Sequence, residues 1–338
     1  MPRKNDRKLK IQAYLIEKIM LNEDSIVKRT IDAFNVTKTT VYSNLRELMD
    51  KGMIIKCDSG KYKLATNILT YHYDVSEMNE THEDYICKNT IHSLISEYPD
   101  NVKRIWQYAF SEMINNVLEH SKSDSLDISI EKNISTTTVK IQDNGIGIFE
   151  NIKTICGFLT YDEAEEELFK GKLTTDSSNH SGEGLFFTSR IMDKFAAIAN
   201  GRVFALSNSW DTMINEQELT ELLNNKGSTI LMCINNNSQK SLRELFDSYT
   251  NDDGAFNKTT IPMAQLFDGY PVSRSQAKRL SRRFDSFNEV TLDFSNVEEI
   301  GQGFADQMFR VFCREYPNTK IVATNCNAAI QKMINHVK

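Results

Sequence analysis

Phe110-Ser111-Glu112-Met113-Ile114-Asn115-Asn116-Val117-Leu118-Glu119-His120 is patterned as a helix, with Phe110, Met113, Ile114 and Val117 on its apolar side. Glu112 and Asn116 stand four apart and share one face, with His120 one turn further on. A carboxylate and an amide drawn together toward a core need a partner, because unpaired polar groups are costly to bury. Magnesium and phosphate would supply one; two surface residues are the plain alternative. Downstream, the hairpin of Leu126–Ile130 and Thr138–Gln142 runs into Asp143-Asn144-Gly145-Ile146-Gly147. An aspartate at a strand end can accept a hydrogen bond from an adenine amine, and the glycines let a base lie on the backbone. Gly182-Glu183-Gly184 then opens a helix, Leu185–Met192, after the polar stretch Gly171–Ser181, which is expected to be mobile. Free amides at a glycine-rich helix start suit phosphate. A last glycine turn, Gly227-Ser228-Thr229, begins the strand Ile230–Ile234.

In this order, Glu112-x-x-x-Asn116, Asp143-x-Gly145-x-Gly147, Gly182-x-Gly184 and Gly227-Ser228-Thr229 resemble the N, G1, G2 and G3 boxes of the GHKL ATP-binding fold. That family includes gyrase B, the chaperone ATPases, histidine kinases, MutL and anti-sigma-factor kinases. The resemblance implies ATP and Mg2+ as cofactors. It gives Asn116 to the metal, Asp143 to the adenine amine, and Gly145 and Gly147 to close approach of the base. Gly182 and Gly184 would let amides reach the phosphates, and Thr229 would support the adenine water network. Lys172 and Thr175 are candidate phosphate contacts, and Glu112 matches the family's general base. Two departures stand out. The second glycine box lacks the usual G-x-G-L-G-L ending, and no long helical hairpin bearing a phosphoacceptor histidine fits between residues 67 and 112. Histidine autophosphorylation is therefore not expected, and His82 falls where this domain's own first helix, 81–97, should begin.

Upstream, the chain has a different character. Residues 1–63 hold 14 Lys/Arg against 8 Asp/Glu, a charge of +6, which leaves −12 on the remaining 275 of the 338 residues. Such a segment is either a phosphate-seeking surface or a solvated one. Leu9–Met20 has helical spacing, and Asn22–Ser25 supplies capping residues for a second helix with Ile26, Ile31 and Phe34 inward. Thr37 caps a third helix that buries Val41, Leu45 and Leu48 and shows Lys38, Thr39, Tyr42, Ser43 and Arg46. A short hairpin, 52–64, turns at Asp58-Ser59-Gly60 and carries Lys61. This segment resembles the winged helix-turn-helix of bacterial regulators. The resemblance implies DNA contact through Lys38, Thr39, Tyr42, Ser43, Arg46 and Lys61, or else a protein-docking role.

Beyond the polar junction at 235–240, strands and helices alternate, which implies an α/β layer on a mixed or parallel sheet. Arg274–Phe284 is a basic amphipathic helix; Arg279, Arg282 and Arg283 suit an acidic partner, a nucleic acid or plain solvent. The run Val290–Ala305 resembles the STAS fold of anti-sigma-factor antagonists, but Gly301-Gln302-Gly303 replaces the loop whose serine that family phosphorylates. The similarity implies a protein-docking module that does not accept phosphate there.

The expected architecture is thus an α+β multidomain chain. It comprises a winged helix-turn-helix at 1–66, a GHKL α/β sandwich at 67–236 and a STAS-like α/β domain at 237–338. Its expected function is an ATP-responsive regulator of DNA or partner binding. The alternative is an enzyme, either a slow ATPase or a protein serine/threonine kinase acting on a separate partner. A homodimer is plausible by family habit. With 40% apolar and 25% charged residues, no membrane-length apolar run and no signal-peptide core, a cytoplasmic globular protein is expected. The six cysteines show no C-x-x-C spacing and no nearby histidine cluster and read as buried or free thiols, which excludes neither one reactive thiol nor a metal bound on a partner surface.

Overall fold

A computed structural model of the chain describes residues 4–79, 82–172, 183–251, 253–267 and 269–338. They form two compact units. One comprises the chain up to Thr70 with Ser129–Thr138 and Asn235–Asn237; the other comprises Tyr71–Ile128, Val139–Ile234 and Ser238–Lys338.

In the first unit, α1 (Lys4–Met20), α2 (Ile26–Phe34) and α3 (Lys38–Asp50) precede a two-stranded antiparallel ladder of β1 (Ile54–Lys56) and β2 (Tyr62–Leu64). Ile11, Leu15 and Ile19 make one stripe along α1, and they meet Val41, Leu45, Leu48 and Ile54 in a closed core. Each such side chain contributes roughly 1.5–3 kcal/mol by leaving water. Thr37 caps α3 by accepting the Thr40 N–H at 3.3 Å. Ser25 does not cap α2 in this way: it sits in the left-handed region at φ 58 and makes no side-chain cap bond. Lys38, Thr39, Tyr42, Ser43, Arg46 and Lys61 are all exposed.

A six-stranded sheet has the order β3-β4-β5-β8-β6-β7. Its strands are β3 (Asn67–Asp74), β4 (Ser125–Lys132), β5 (Thr136–Asp143), β6 (Lys194–Ala199), β7 (Arg202–Phe204) and β8 (Ser228–Asn235). As its alternating sequence suggests, β3 is an edge strand. Burial alternates along β5, whereas β6 and β8 are buried almost throughout. The reason is a second apolar cluster, in which Leu219, Leu222 and Leu223 cover Ala196, Ile198 and Leu231. The long helix α4 (Asp100–Asn116) buries Val102, Ile105, Trp106, Ala109, Phe110, Met113 and Ile114 at helical spacing. Its last turn, Val117–Ser121, is π-helical, and α5 (Ile148–Cys156) follows β5.

The helix expected at 81–97 is broken. Glu83–Asn89 and Ile91–Leu94 are separate helices, because Thr90 leaves helical geometry (φ −111, ψ −79) while its hydroxyl donates to the Ile86 carbonyl at 2.6 Å. A β-branched residue bonding back onto the preceding turn favours such a break.

Toward the C-terminus, β9 (Lys258–Pro262), β10 (Glu289–Asp293) and β11 (Lys320–Thr324) form a parallel sheet in the order β11-β10-β9. Parallel pairing requires long crossovers, and helices occupy them. Among the described residues no helix is long and apolar enough to cross a membrane.

Candidate nucleotide site

The π-helical turn sets the first distance in the site. It aims the Ser121 carbonyl at the loop after β5, where it accepts the Ile146 N–H at 2.9 Å. A side chain on Gly145 would overlap that same carbonyl, so the residue must be glycine. Gly147, at φ 85, meets Asn200, whose amide accepts the Glu150 N–H at 3.2 Å and donates to the Ile146 carbonyl at 3.1 Å.

Asp143 ends β5 at 4% exposure. Burial pushes its carboxyl above the usual aspartate range, and hydrogen bonds from Gly145 and Ser228 oppose the rise. The Gly145 N–H reaches it at 2.8 Å. Gly227, at φ 83, lies so close to Asp143 that any Cβ would overlap its backbone carbonyl. The hydroxyl of Ser228 also accepts the Ile148 N–H at 3.0 Å, and Thr229 is buried opposite Ile198 in the β6–β8 ladder. Asp143, Gly145, Gly147, Gly227 and Thr229 are therefore brought together.

The helix α7 (Gly184–Ile191) packs on α4, and a Cβ on Gly184 would overlap the Glu112 carboxylate. The N and G2 stretches, 68 residues apart counting from 116 to 184, thus meet at these two residues. One turn before Glu112, burial pushes the Tyr108 hydroxyl far up, helped by the carboxylates of Glu112 and Glu183. The Asn116 amide nitrogen touches only the Met113 sulfur at 3.9 Å, and its oxygen accepts no hydrogen bond from the described residues. A free amide oxygen on a helix face fits Mg2+, which takes oxygen ligands and relies on phosphates and water for the rest. Among the described residues no three His, Cys, Asp or Glu side chains are grouped to hold a metal. Thr175 and Gly182 lie outside the described residues.

Residues 101–237 match the family model of histidine kinase-, DNA gyrase B-, and HSP90-like ATPases. The chain carries a GHKL-type ATPase domain. Every described nucleotide-site residue named above falls inside the matched span, and the domain implies ATP binding, usually with Mg2+. Residues 276–331 match a second model, a STAS-like domain of unknown function (DUF4325). No curated protein matches the chain.

Lys172 is engaged from the STAS-like side of the chain. Its amine donates to the Ser286 carbonyl at 2.6 Å and lies 4.5 Å from the Phe287 ring centroid. Burial lowers its pKa, against the pull of Glu183. The basic helix is shorter than its sequence pattern suggests: α8 (Arg274–Leu280) ends before Arg282 and Arg283, and a 3-10 turn follows at Phe284–Ser286. These arginines are partly solvated, and all three are paired. Arg279 pairs with Glu166 at 2.7 Å, Arg282 with Glu163 and Arg283 with Glu167 at 3.8 Å, all three acids lying on α6 (Tyr161–Lys170). The neighbouring Glu165 is raised to about 7 by burial, with Arg202 opposing. A half-open cavity of about 440 Å³ lies at the STAS-like loop instead, lined by Arg274, Gln302, Gly303, Asp306 and Arg310. Both arginines there are already paired with Asp306.

Asn200 is the site residue least visible in the sequence. Asn200 sits in an Asn-Gly turn after β6, a signal that reads as a turn and not as a brace for another loop.

Proposed function

We propose that the chain is an ATP-responsive regulator, in which Mg-ATP in the GHKL site changes DNA or partner binding by residues 1–66, read as a winged helix-turn-helix. The observation that carries the ATP half is the convergence of Asp143, Gly145, Gly227 and Ser228. It sets a buried acceptor among glycines whose backbones a planar base can approach. The DNA half is supported by the charge of +6 on residues 1–63 and by the exposed polar face of α3. Lys38 and Arg46 on that face, and Lys61 on the hairpin, suit phosphate and base-edge contacts. The residues 237–338 would dock a protein partner, and the chain would act in the cytoplasm, as a monomer or a homodimer.

A second reading is favoured by one observation, the Glu112 carboxylate lying against Gly184 where phosphates would enter. It makes the protein a slow ATPase or a serine/threonine kinase with Glu112 as base. Incubation with γ-labelled ATP separates the readings. Free phosphate marks an ATPase, label on a second protein a kinase, and tight binding without turnover a pure switch. Capture of genomic DNA with and without ATP tests the regulator directly. Recovery of the same sparse, unspecific DNA in both conditions would defeat it.

A further inference from the structure

Between Lys170 and Lys172 the chain has few polar groups left to offer a nucleotide. The Lys170 amine is buried on Glu167 at 2.6 Å and on the Arg282 carbonyl at 2.9 Å. Its carbonyl accepts the Thr259 hydroxyl at 3.0 Å. The Lys172 carbonyl accepts Arg283 at 2.6 Å, and the Lys172 amine is held by the Ser286 carbonyl and the Phe287 ring. Two amines and two carbonyls are thus engaged by residues 259–287, on the STAS-like side of the chain. The arginine–glutamate pairs described above extend the same contact along α6.

The surface used is distinct from the Gly301–Gly303 loop. That loop packs on Val272, whose carbonyl an added Gly301 side chain would overlap. The contact is therefore not an arrangement for presenting that loop to ATP.

We propose that this contact is autoinhibitory: the STAS-like domain clamps α6 and holds Lys172 off the nucleotide phosphates, so that clamping and ATP binding compete. The inference rests on the ATP reading above and names the regulation of that site. A dianionic phosphate is a stronger partner for an ammonium than a neutral carbonyl, so nucleotide wins the amine only by giving up clamp contacts. Linkage makes the effect reciprocal. Whatever opens the clamp tightens ATP binding, and ATP frees residues 279–287 for another acidic partner.

The test uses the full chain with Mg2+ and a fluorescent ATP analogue. Arg279→Glu and Arg282→Glu should each tighten binding by on the order of fivefold or more, the usual lower range of coupling between sites. Adding Glu163→Arg to Arg282→Glu restores the pair with reversed charge and should return affinity toward wild type. Lys172→Ala should cost more affinity in the Arg282→Glu background than in wild type. Unchanged or weaker binding in variants that melt like wild type overturns the proposal. Hydrogen exchange of the wild-type chain gives a second readout that needs no variant. Residues 161–172 and 279–287 should exchange faster with a non-hydrolysable ATP analogue, and unchanged or slower exchange overturns the clamp. If the wild-type chain and all variants fail to bind the analogue, the ATP reading itself falls and the clamp with it. If binding depends on Asp143 but ignores the arginines, only the clamp falls.

Discussion

Gly227 touches Asp143 so closely that no side chain fits between them: an added carbon would overlap both the Asp143 backbone carbonyl and its carboxylate. The two residues end one strand and precede another, so the contact ties the end of β5 to the start of β8. Gly227→Ala would also force alanine to φ 83, at about 1–2 kcal/mol for the left-handed conformation alone. The expected outcome is a lower melting temperature together with loss of nucleotide binding, read by thermal melts and by fluorescence titration.

Asp143→Asn should separate stability from function. Burial raises the carboxyl, so the folded protein holds the charged form at a cost that grows as pH rises past the ordinary aspartate range. An amide removes that cost while keeping an acceptor for the Gly145 N–H. At pH 7 the variant should be as stable as wild type or more so. Its ATP affinity should still fall roughly 10- to 100-fold, as expected when a charged acceptor is lost. Equal affinity in the two proteins would remove Asp143 from the base-reading role.

Glu165 supplies a pH signature. Its carboxyl rises from 4.5 to about 7 on folding because burial disfavours the charge. A raised acid keeps its proton in the folded state after the unfolded chain has released it. Stability should therefore be greatest below pH 4.5, decline through pH 7 and level off above, by no more than about 3 kcal/mol. Glu165→Gln should flatten this part of the profile in denaturant titrations at stepped pH. An identical slope in both proteins would assign the titration elsewhere.

Lys170 is 1% exposed and paired with Glu167, itself 2% exposed. Removing one partner of such a pair strands a buried charge, typically at about 3–5 kcal/mol. Lys170→Met should destabilise by this order in urea titrations. Lys170→Met with Glu167→Gln should recover part of the loss. No recovery would mean that Glu167 is satisfied by Arg283 alone.

On the first unit, Lys38→Ala and Arg46→Ala should weaken DNA binding while leaving the melt unchanged, because both side chains are exposed. If a residue contacts phosphate, its loss lowers the slope of log K against log salt by about 1. Intact binding and slope in both variants would favour a docking role for this segment.

The GHKL-type domain was legible because its signals are local: a glycine in a turn, a carboxylate at a strand end and two polar residues one helical turn apart. Order along the chain did the rest. What escaped sequence reading depends on partners far apart. Arg279 and Glu166 are separated by 113 residues, and nothing near either one announces the other. Arg282 and Arg283 looked like a solvent-facing helical stripe, yet both are engaged by α6. The resemblance made Lys172 a candidate phosphate contact, and its amine is held by the Ser286 carbonyl from the STAS-like side. Asn200 reads as an ordinary turn residue until the loop it braces is seen. The break at Thr90 was missed for the opposite reason, since a single back-bonded hydroxyl outweighed a favourable helical pattern.

The π-helical turn at Val117–Ser121 carries a consequence for how such a site can vary. A wide turn of this kind amounts to one residue more than a regular helix needs. Winding the same five residues as a regular α-helix would carry the Ser121 carbonyl about 100° further around the axis. Glu112 and Asn116 would keep their places, but the Gly145–Ile146 loop would lose its anchor. The wide winding of this segment is therefore what keeps the Asn116 helix anchored to the Gly145–Ile146 loop.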